Sequence, residues 1–355
     1  MSRPDPLRRN DRTGASATLI LWAGYIRGDH GPPEDGPRRE GFGSSCSAAR
    51  TSPTQLKTHM PQIDLMIVGA QKAGTTSLKN YLAEHPDVLS HPQLEFSYFA
   101  VDQEYEKSFD TVFRRWFTLG NAKSYRKVVA KNASLSVDEK AISRLAKHNP
   151  DCDVVILLRN PIQRAYSSYR FEIQSGSGLP PFDELLNQLD ESEAGIPGSS
   201  QRILIEFGNY ASQLGKLWRF FPRQQVHTYF FEDLVNEPRK ICDEIFIRLG
   251  LHSEIGINAE RIHNKTGKAR SARVAKVLHW LKQERNPIKR AAKKIMPYSF
   301  FTRASRQLQK LNRSEALIEV EPMSDQARER LRQIFMPANI ELGRMLSVDL
   351  SHWDE

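Results

Sequence analysis

The stretch Ile63-Asp64-Leu65-Met66-Ile67-Val68-Gly69-Ala70-Gln71-Lys72-Ala73-Gly74-Thr75-Thr76-Ser77-Leu78 decides the fold. Leu65, Met66, Ile67 and Val68 form an apolar run too short for most helices, and it stops at a glycine, which predicts a buried strand. Gly69 and Gly74 bracket a loop that must bend sharply. Thr75, Thr76 and Ser77 then open a helix whose apolar face is Leu78, Tyr81 and Leu82. A helix that begins directly after glycines turns unpaired N–H groups and the positive end of its dipole toward one point, where an anion is favoured. The unit is expected to grip a phosphate.

The spelling of the loop narrows the ligand. A nucleoside triphosphate loop reads G-x-x-x-x-G-K-[ST], with its lysine reaching the outer phosphates. Gly69 and Gly74 have that separation, yet Thr75 stands in the lysine's place and the lysine of this loop, Lys72, lies inside it. Gln71-Lys72-Ala73-Gly74-Thr75-Thr76-Ser77-Leu78 instead resembles the 5′-phosphosulfate loop of the sulfotransferases that use 3′-phosphoadenosine 5′-phosphosulfate. The resemblance implies that Gln71, Lys72, Ala73, Gly74, Thr75, Thr76 and Ser77 hold that co-substrate, with Lys72 also catalytic. A glycine turn with no ligand is the plainer alternative.

A second segment is aimed at the same crevice. Val154, Val155, Ile156, Leu157 and Leu158 suit a strand buried on both faces of a parallel sheet, and Pro161 suits the first turn of a subsequent helix. Arg159 emerges at the carboxyl edge of that strand, where open α/β sheets bind ligands. Ser167 comes later on the helix, and a guanidinium and a hydroxyl can share one phosphate's oxygens. Arg159-Asn160-Pro161-Ile162-Gln163-Arg164-Ala165-Tyr166-Ser167 resembles the family's 3′-phosphate segment, which implies cofactor contacts at Arg159 and Ser167; Arg164 and Tyr169 are read as bracing the helix instead of touching cofactor. A surface ion pair is the alternative for Arg159. The basic glycine loop His263 to Ser271 is similar to one that closes the same side of the cofactor in the family, which adds Lys265, Gly267 and Lys268.

Between these segments lies Gln93-Leu94-Glu95-Phe96-Ser97-Tyr98-Phe99. A carboxylate amid aromatics is partly desolvated, which suits proton abstraction near neutral pH, so Glu95 is the candidate base. The stretch resembles the Lys-Glu-x-x-aromatic-Phe segment of glycan sulfotransferases, the heparan sulfate group above all, in which the glutamate is the base. Leu94 replaces their lysine. His85 and His91 are rival bases that read as solvated side chains. Lys131, in Lys131-Asn132-Ala133-Ser134, is the acceptor contact that the resemblance implies.

The remainder bounds the setting. The chain has 355 residues, a net charge of +9 and 3 cysteines, Cys46, Cys152 and Cys242. The charge suggests polyanionic partners without choosing among them, and so few scattered cysteines point to a reducing compartment rather than a disulfide framework or metal cluster. Residues 1–59, rich in Arg, Gly, Pro and Ser, read as a disordered extension ahead of Met60, and their apolar patch from Ala17 to Ile26 is too short to span a bilayer. A cytoplasmic location is the expectation.

Residues 60–355 are expected to form one α/β domain: three layers, P-loop-like, with a central, mainly parallel sheet flanked by helices. Helices are expected over Val137 to His148, Arg202 to Phe221, Glu232 to Leu249 and Ser324 to Leu346, the last bent at Pro337. The basic segment 282–313 is a solvated face or a peripheral contact with an acidic glycan or membrane. The expected activity is sulfuryl transfer to a hydroxyl or amine of a small-molecule or glycan acceptor, without a metal and without nucleic acid. A nucleotide-dependent kinase and a non-catalytic polyanion-binding protein remain the alternatives.

Overall fold

A computed structural model describes residues 61–117, 125–175, 177, 179–189, 203–253, 256–258 and 320–354. The expectations placed on residues 1–59, on Lys265, Gly267 and Lys268, and on segment 282–313 lie outside the described residues.

Five strands form a parallel sheet: β1 (Leu65–Gly69), β2 (Val88–Ser90), β3 (Lys127–Lys131), β4 (Asp153–Leu158) and β5 (Val226–Phe230), in the order β2-β3-β1-β4-β5. The central pair is explained by composition. Val154, Val155, Ile156, Leu157 and Leu158 are each 0% exposed, as a strand covered on both faces requires. The chain leaves β1 toward β2 on one side and leaves β3 toward β5 on the other, so the order reverses between β1 and β4. Ligands of open parallel sheets bind at that reversal, outside the carboxyl ends of the strands.

The helices are α1 (Thr75–Leu82), α2 (Asp102–Tyr105), α3 (Phe109–Trp116), α4 (Glu139–His148), α5 (Pro161–Gln174), α6 (Phe182–Asn187), α7 (Tyr210–Phe220), α8 (Phe231–Asn236), α9 (Pro238–Arg248) and α10 (Asp325–Leu346). Right-handed crossovers put α1 on one face of the sheet and α4 and α7 on the other. Accordingly α1 packs with α9, α4 with α7, and α7 with α10. Among the described residues no helix is long and apolar enough to cross a membrane.

Two expected helices are broken. The segment ending at Phe221 splits into a short 3-10 turn, Glu206–Gly208, and α7, because the Asn209 side chain caps α7 by accepting from the Ser212 N–H (3.1 Å). Gly208 also lies so close to Phe335 that a Cβ there would stand 2.6 Å from its ring. The segment after Phe231 divides at Pro238, which opens α9 but cannot extend α8, since its ring fixes φ and its nitrogen has no proton to donate. α10 begins as expected, with the Ser324 hydroxyl accepting from the Ala327 N–H (3.0 Å), and continues through Pro337. Beyond it, Trp353 is 1% exposed, packs on Tyr210 and Phe230, and its carbonyl accepts from Asn160 (3.0 Å), which ties residues 351–354 to the junction of β4 and α5.

Candidate active site

The loop after β1 is shaped by backbone contacts before any ligand is considered. The Ala70 N–H donates to the Leu157 carbonyl (2.8 Å), which fastens the loop to β4, and the Ala73 N–H returns to the Ala70 carbonyl (3.2 Å). Lys72 (φ 70°) and Gly74 (φ 82°) both adopt left-handed conformations. For lysine this costs about 1–3 kcal/mol, strain that concentrates at functional loops. Gly74 is required twice over, by its φ and because a Cβ there would lie 2.9 Å from Leu234 and 3.2 Å from Phe231. α1 then starts with no capping side chain and no acid in its first turn. Its first N–H groups and its dipole are thereby left to an external anion.

Arg159 reaches this loop. Its Nη1 donates to the Lys72 carbonyl (3.0 Å), and its guanidinium lies 4.5 Å from the centre of the Phe231 ring. The Lys72 ammonium lies over Phe171 of α5, 4.4 Å from the ring centre. Cation–ring contacts of this kind stabilise a cation without cancelling its charge. Burial lowers the Arg159 pKa, opposed by Tyr210 and Glu232, and a guanidinium remains protonated under such a shift. The Tyr210 hydroxyl donates to the Arg159 carbonyl (2.8 Å) and fixes the backbone there. Gln71 joins the same assembly by accepting from Ser168 (3.3 Å), and Ser167, one residue earlier on α5, lines a cavity with Arg159.

Arg164 and Tyr169 brace α5. Arg164, 0% exposed, donates to the carbonyls of Ile203 and Leu204, and burial pulls its pKa down to about 10. Tyr169 donates to the Pro180 carbonyl (3.1 Å).

Glu95 approaches from the β3 side. Its Oε1 accepts from the Lys131 ammonium (2.8 Å) and its Oε2 from the Ala133 N–H (2.9 Å). The aromatic setting expected for Glu95 belongs to its neighbours: Phe96 is 0% exposed and contacts Tyr98, Phe99, Trp116 and Phe117, whereas the carboxylate turns to Lys131. Lys131 is 1% exposed and also donates to the Thr76 hydroxyl (2.9 Å), so one buried ammonium joins the base candidate to the first turn of α1. Leu94 is 49% exposed beside it.

His85 and His91 are buried, contrary to the solvated reading. His91 Nε2 accepts from the Lys131 N–H (3.1 Å). His85 Nδ1 accepts from the Asp87 N–H (3.0 Å), and its Nε2 lies 3.1 Å from the His252 carbonyl. Both rings are engaged in holding loops.

Lys79 is a site residue that sequence reasoning missed. Its ammonium donates to the carbonyls of His91 (2.8 Å) and Gln93 (3.1 Å), stapling the segment that leads into Glu95 to α1. Burial first, and Lys131 second, lower its pKa to about 8. A signal was present: Lys79 falls on the same helical stripe as Thr75, Leu78 and Leu82, where a lysine is enclosed.

These features define a parallel α/β protein with a strained glycine loop, an uncapped helix start, two cations and a held carboxylate at one sheet edge. Residues 62–312 match the family model described as Sulfotransferase domain, and the chain belongs to that family. Among curated proteins it is 28% identical over 194 residues to the bifunctional heparan sulfate N-deacetylase/N-sulfotransferase 1 of Caenorhabditis briggsae, covering 51% of this chain and 22% of that protein. It is 26% identical over 223 residues to human heparan sulfate glucosamine 3-O-sulfotransferase 3A1, covering 61% of this chain and 52% of that protein. The chain thus spans about half the length of that relative, and less of the former. A crystal structure of a sulfotransferase from Alicyclobacillus acidocaldarius shares the fold, with a TM-score of 0.59, 20% identity, and coverage of 83% of this chain and 100% of that one.

Proposed function

We propose that this protein transfers the sulfuryl group of 3′-phosphoadenosine 5′-phosphosulfate to a hydroxyl or amine of a carbohydrate or glycolipid acceptor. The observation that carries the reading is the meeting of the Arg159 guanidinium with the Lys72 carbonyl, which brings the two separately encoded cationic segments to one crevice. The residues fit the donor: the cradle at Gly74 admits no Cβ, and the first turn of α1 has neither cap nor acid. When bound, the donor supplies an activated sulfuryl group on a phosphate leaving group. Lys72 and the N–H groups of Thr75, Thr76 and Ser77 would hold its 5′ side, and Arg159 and Ser167 its 3′-phosphate.

Glu95 takes the acceptor's proton as the acceptor oxygen or nitrogen attacks sulfur. Lys131 and the Ala133 N–H hold the carboxylate in place, and Lys131 keeps it in register with α1 through Thr76. Lys72 meets the negative charge that develops on the departing phosphate. The carbohydrate acceptor is supported by relatives named for heparan sulfate, and Leu94 gives the acceptor side an apolar edge suited to a sugar face or a lipid-linked glycan. A cytoplasmic location accompanies the reading, supported by Cys152 and Cys242 being buried free thiols.

The test is donor turnover against a panel of glycans, glycolipids and small alcohols, read by mass spectrometry for an added sulfate. Thermal stabilisation by adenosine 3′,5′-bisphosphate without magnesium is expected; stabilisation by Mg-ATP alone would support a kinase instead.

A further inference from the structure

The cavity beside Arg159 is walled by a part of the chain that the family match does not include. It measures about 340 Å³, and among the described residues its lining holds three arginines, Arg159, Arg170 and Arg328, and no acid. Arg159 and Ser167 come from the β4 edge and α5. Met323, just before α10, and Arg328, in its first turn, both come from beyond residue 312 where the family match ends.

That start is fixed in place. The Tyr166 hydroxyl donates to the Glu321 carbonyl, Ser324 donates to Asp183, and Ala327, Leu331 and Phe335 pack with Ile162, Ala165 and Tyr169 of α5. Leu331 and Phe335 are 0% and 1% exposed, so the helix face that carries Arg328 to the cavity is set by core packing. Arg170 and Arg328 are themselves exposed, and among the described residues neither is held in an ion pair. Glu232 acts on Arg159 from outside the lining, but no acid lines the cavity between the three guanidinium groups, which repel one another; a doubly charged oxyanion relieves that repulsion while matching their paired donors.

We propose that Arg170 and Arg328 complete a phosphomonoester subsite with Arg159 and Ser167, and that its occupant is the donor's ribose 3′-phosphate. The C-terminal helix thereby sets the preference for adenosine 3′,5′-bisphosphate over adenosine 5′-phosphate. This rests on the donor assigned under Proposed function. An anionic group of the acceptor has the same chemistry, and the experiment separates the two.

Calorimetric titration of the full chain with adenosine 3′,5′-bisphosphate and with adenosine 5′-phosphate is compared for the unaltered protein, Arg328→Ala and Arg170→Ala. Each substitution is expected to weaken the bisphosphate about fivefold or more, to make its binding less salt-sensitive, and to leave the monophosphate within about twofold. Equal weakening of both nucleotides would overturn the proposal. So would unchanged bisphosphate affinity accompanied by a raised KM for the acceptor, which would assign the arginines to the acceptor's anion. Absence of bisphosphate binding by the unaltered chain would sink the donor assignment as well. Unchanged thermal midpoints confirm that the exposed substitutions leave the fold intact.

Discussion

At the loop end of the crevice, Arg159 is held by the Lys72 carbonyl and the Phe231 ring and Lys72 lies over Phe171, whereas at the Glu95 end a 1%-exposed lysine sits 2.8 Å from a carboxylate. Rings and carbonyls position a cation while its field persists, which suits the loop end to a polyanion even with Glu232 acting on Arg159. A buried ion pair largely satisfies its own charges and gives geometry in return. One end is suited to binding charge and the other to aiming a base. Lys131 links them through Thr76, so a change on either side is expected to reach the other.

The comparison can be broken first at Glu95. Glu95→Gln should lower kcat by about a hundredfold to ten-thousandfold while affinity for adenosine 3′,5′-bisphosphate stays within about threefold. Loss of both together in steady-state kinetics and calorimetry would mean that the two ends do not divide the work as described. Lys72→Ala should cost kcat about a hundredfold to a thousandfold, since it removes a partner of the charge formed on the leaving group. Near-normal turnover with donor bound would remove Lys72 from catalysis.

Arg159→Ala sharpens the loop end. Removing a charge-assisted contact worth about 1.5–3 kcal/mol should weaken adenosine 3′,5′-bisphosphate by about tenfold to a hundredfold by calorimetry, with kcat at saturating donor much less affected. A fall in kcat without a change in affinity would place Arg159 on the reacting group instead.

A smaller effect tests the floor beneath the Glu95 end. His148 packs against Phe109 with tilted rings (4.1 Å between centroids) and accepts from the Ile63 N–H (3.2 Å), and burial lowers its pKa from 6.5 to about 4. The unfolded chain takes this proton first on acidification. Its contribution is therefore complete above pH 6.5 and is lost as pH falls toward 4, by about 2 kcal/mol between pH 7 and pH 5. Urea unfolding at both pH values should show that loss in the unaltered protein and less of it in His148→Gln.

Much of the site was legible because it is local. The run Leu65–Val68, the glycines of the loop and the apolar stretch before Arg159 each fix a strand and the turn after it within a few residues. The helix breaks were less legible: Pro238 stands inside a stretch expected as one helix, and the split before Tyr210 involves, beside the Asn209 cap, Phe335 pressing against Gly208 from more than a hundred residues away. The two histidines were misjudged for the same reason, since their partners, Lys131 for His91 and His252 for His85, are distant in the chain.

The sequence by itself determined that two strand-to-helix units would each present cationic or N–H groups at a strand's carboxyl end, because steric and hydrogen-bonding rules act over a handful of residues. Only the tertiary structure decided that these units lie side by side at the reversal between β1 and β4, and that Glu95 looks to Lys131 and not to its aromatic neighbours. It also decided that a helix outside the family match brings a third arginine to the cavity. Such choices are made by the burial of surfaces contributed by remote segments, and no local pattern in the chain encodes them.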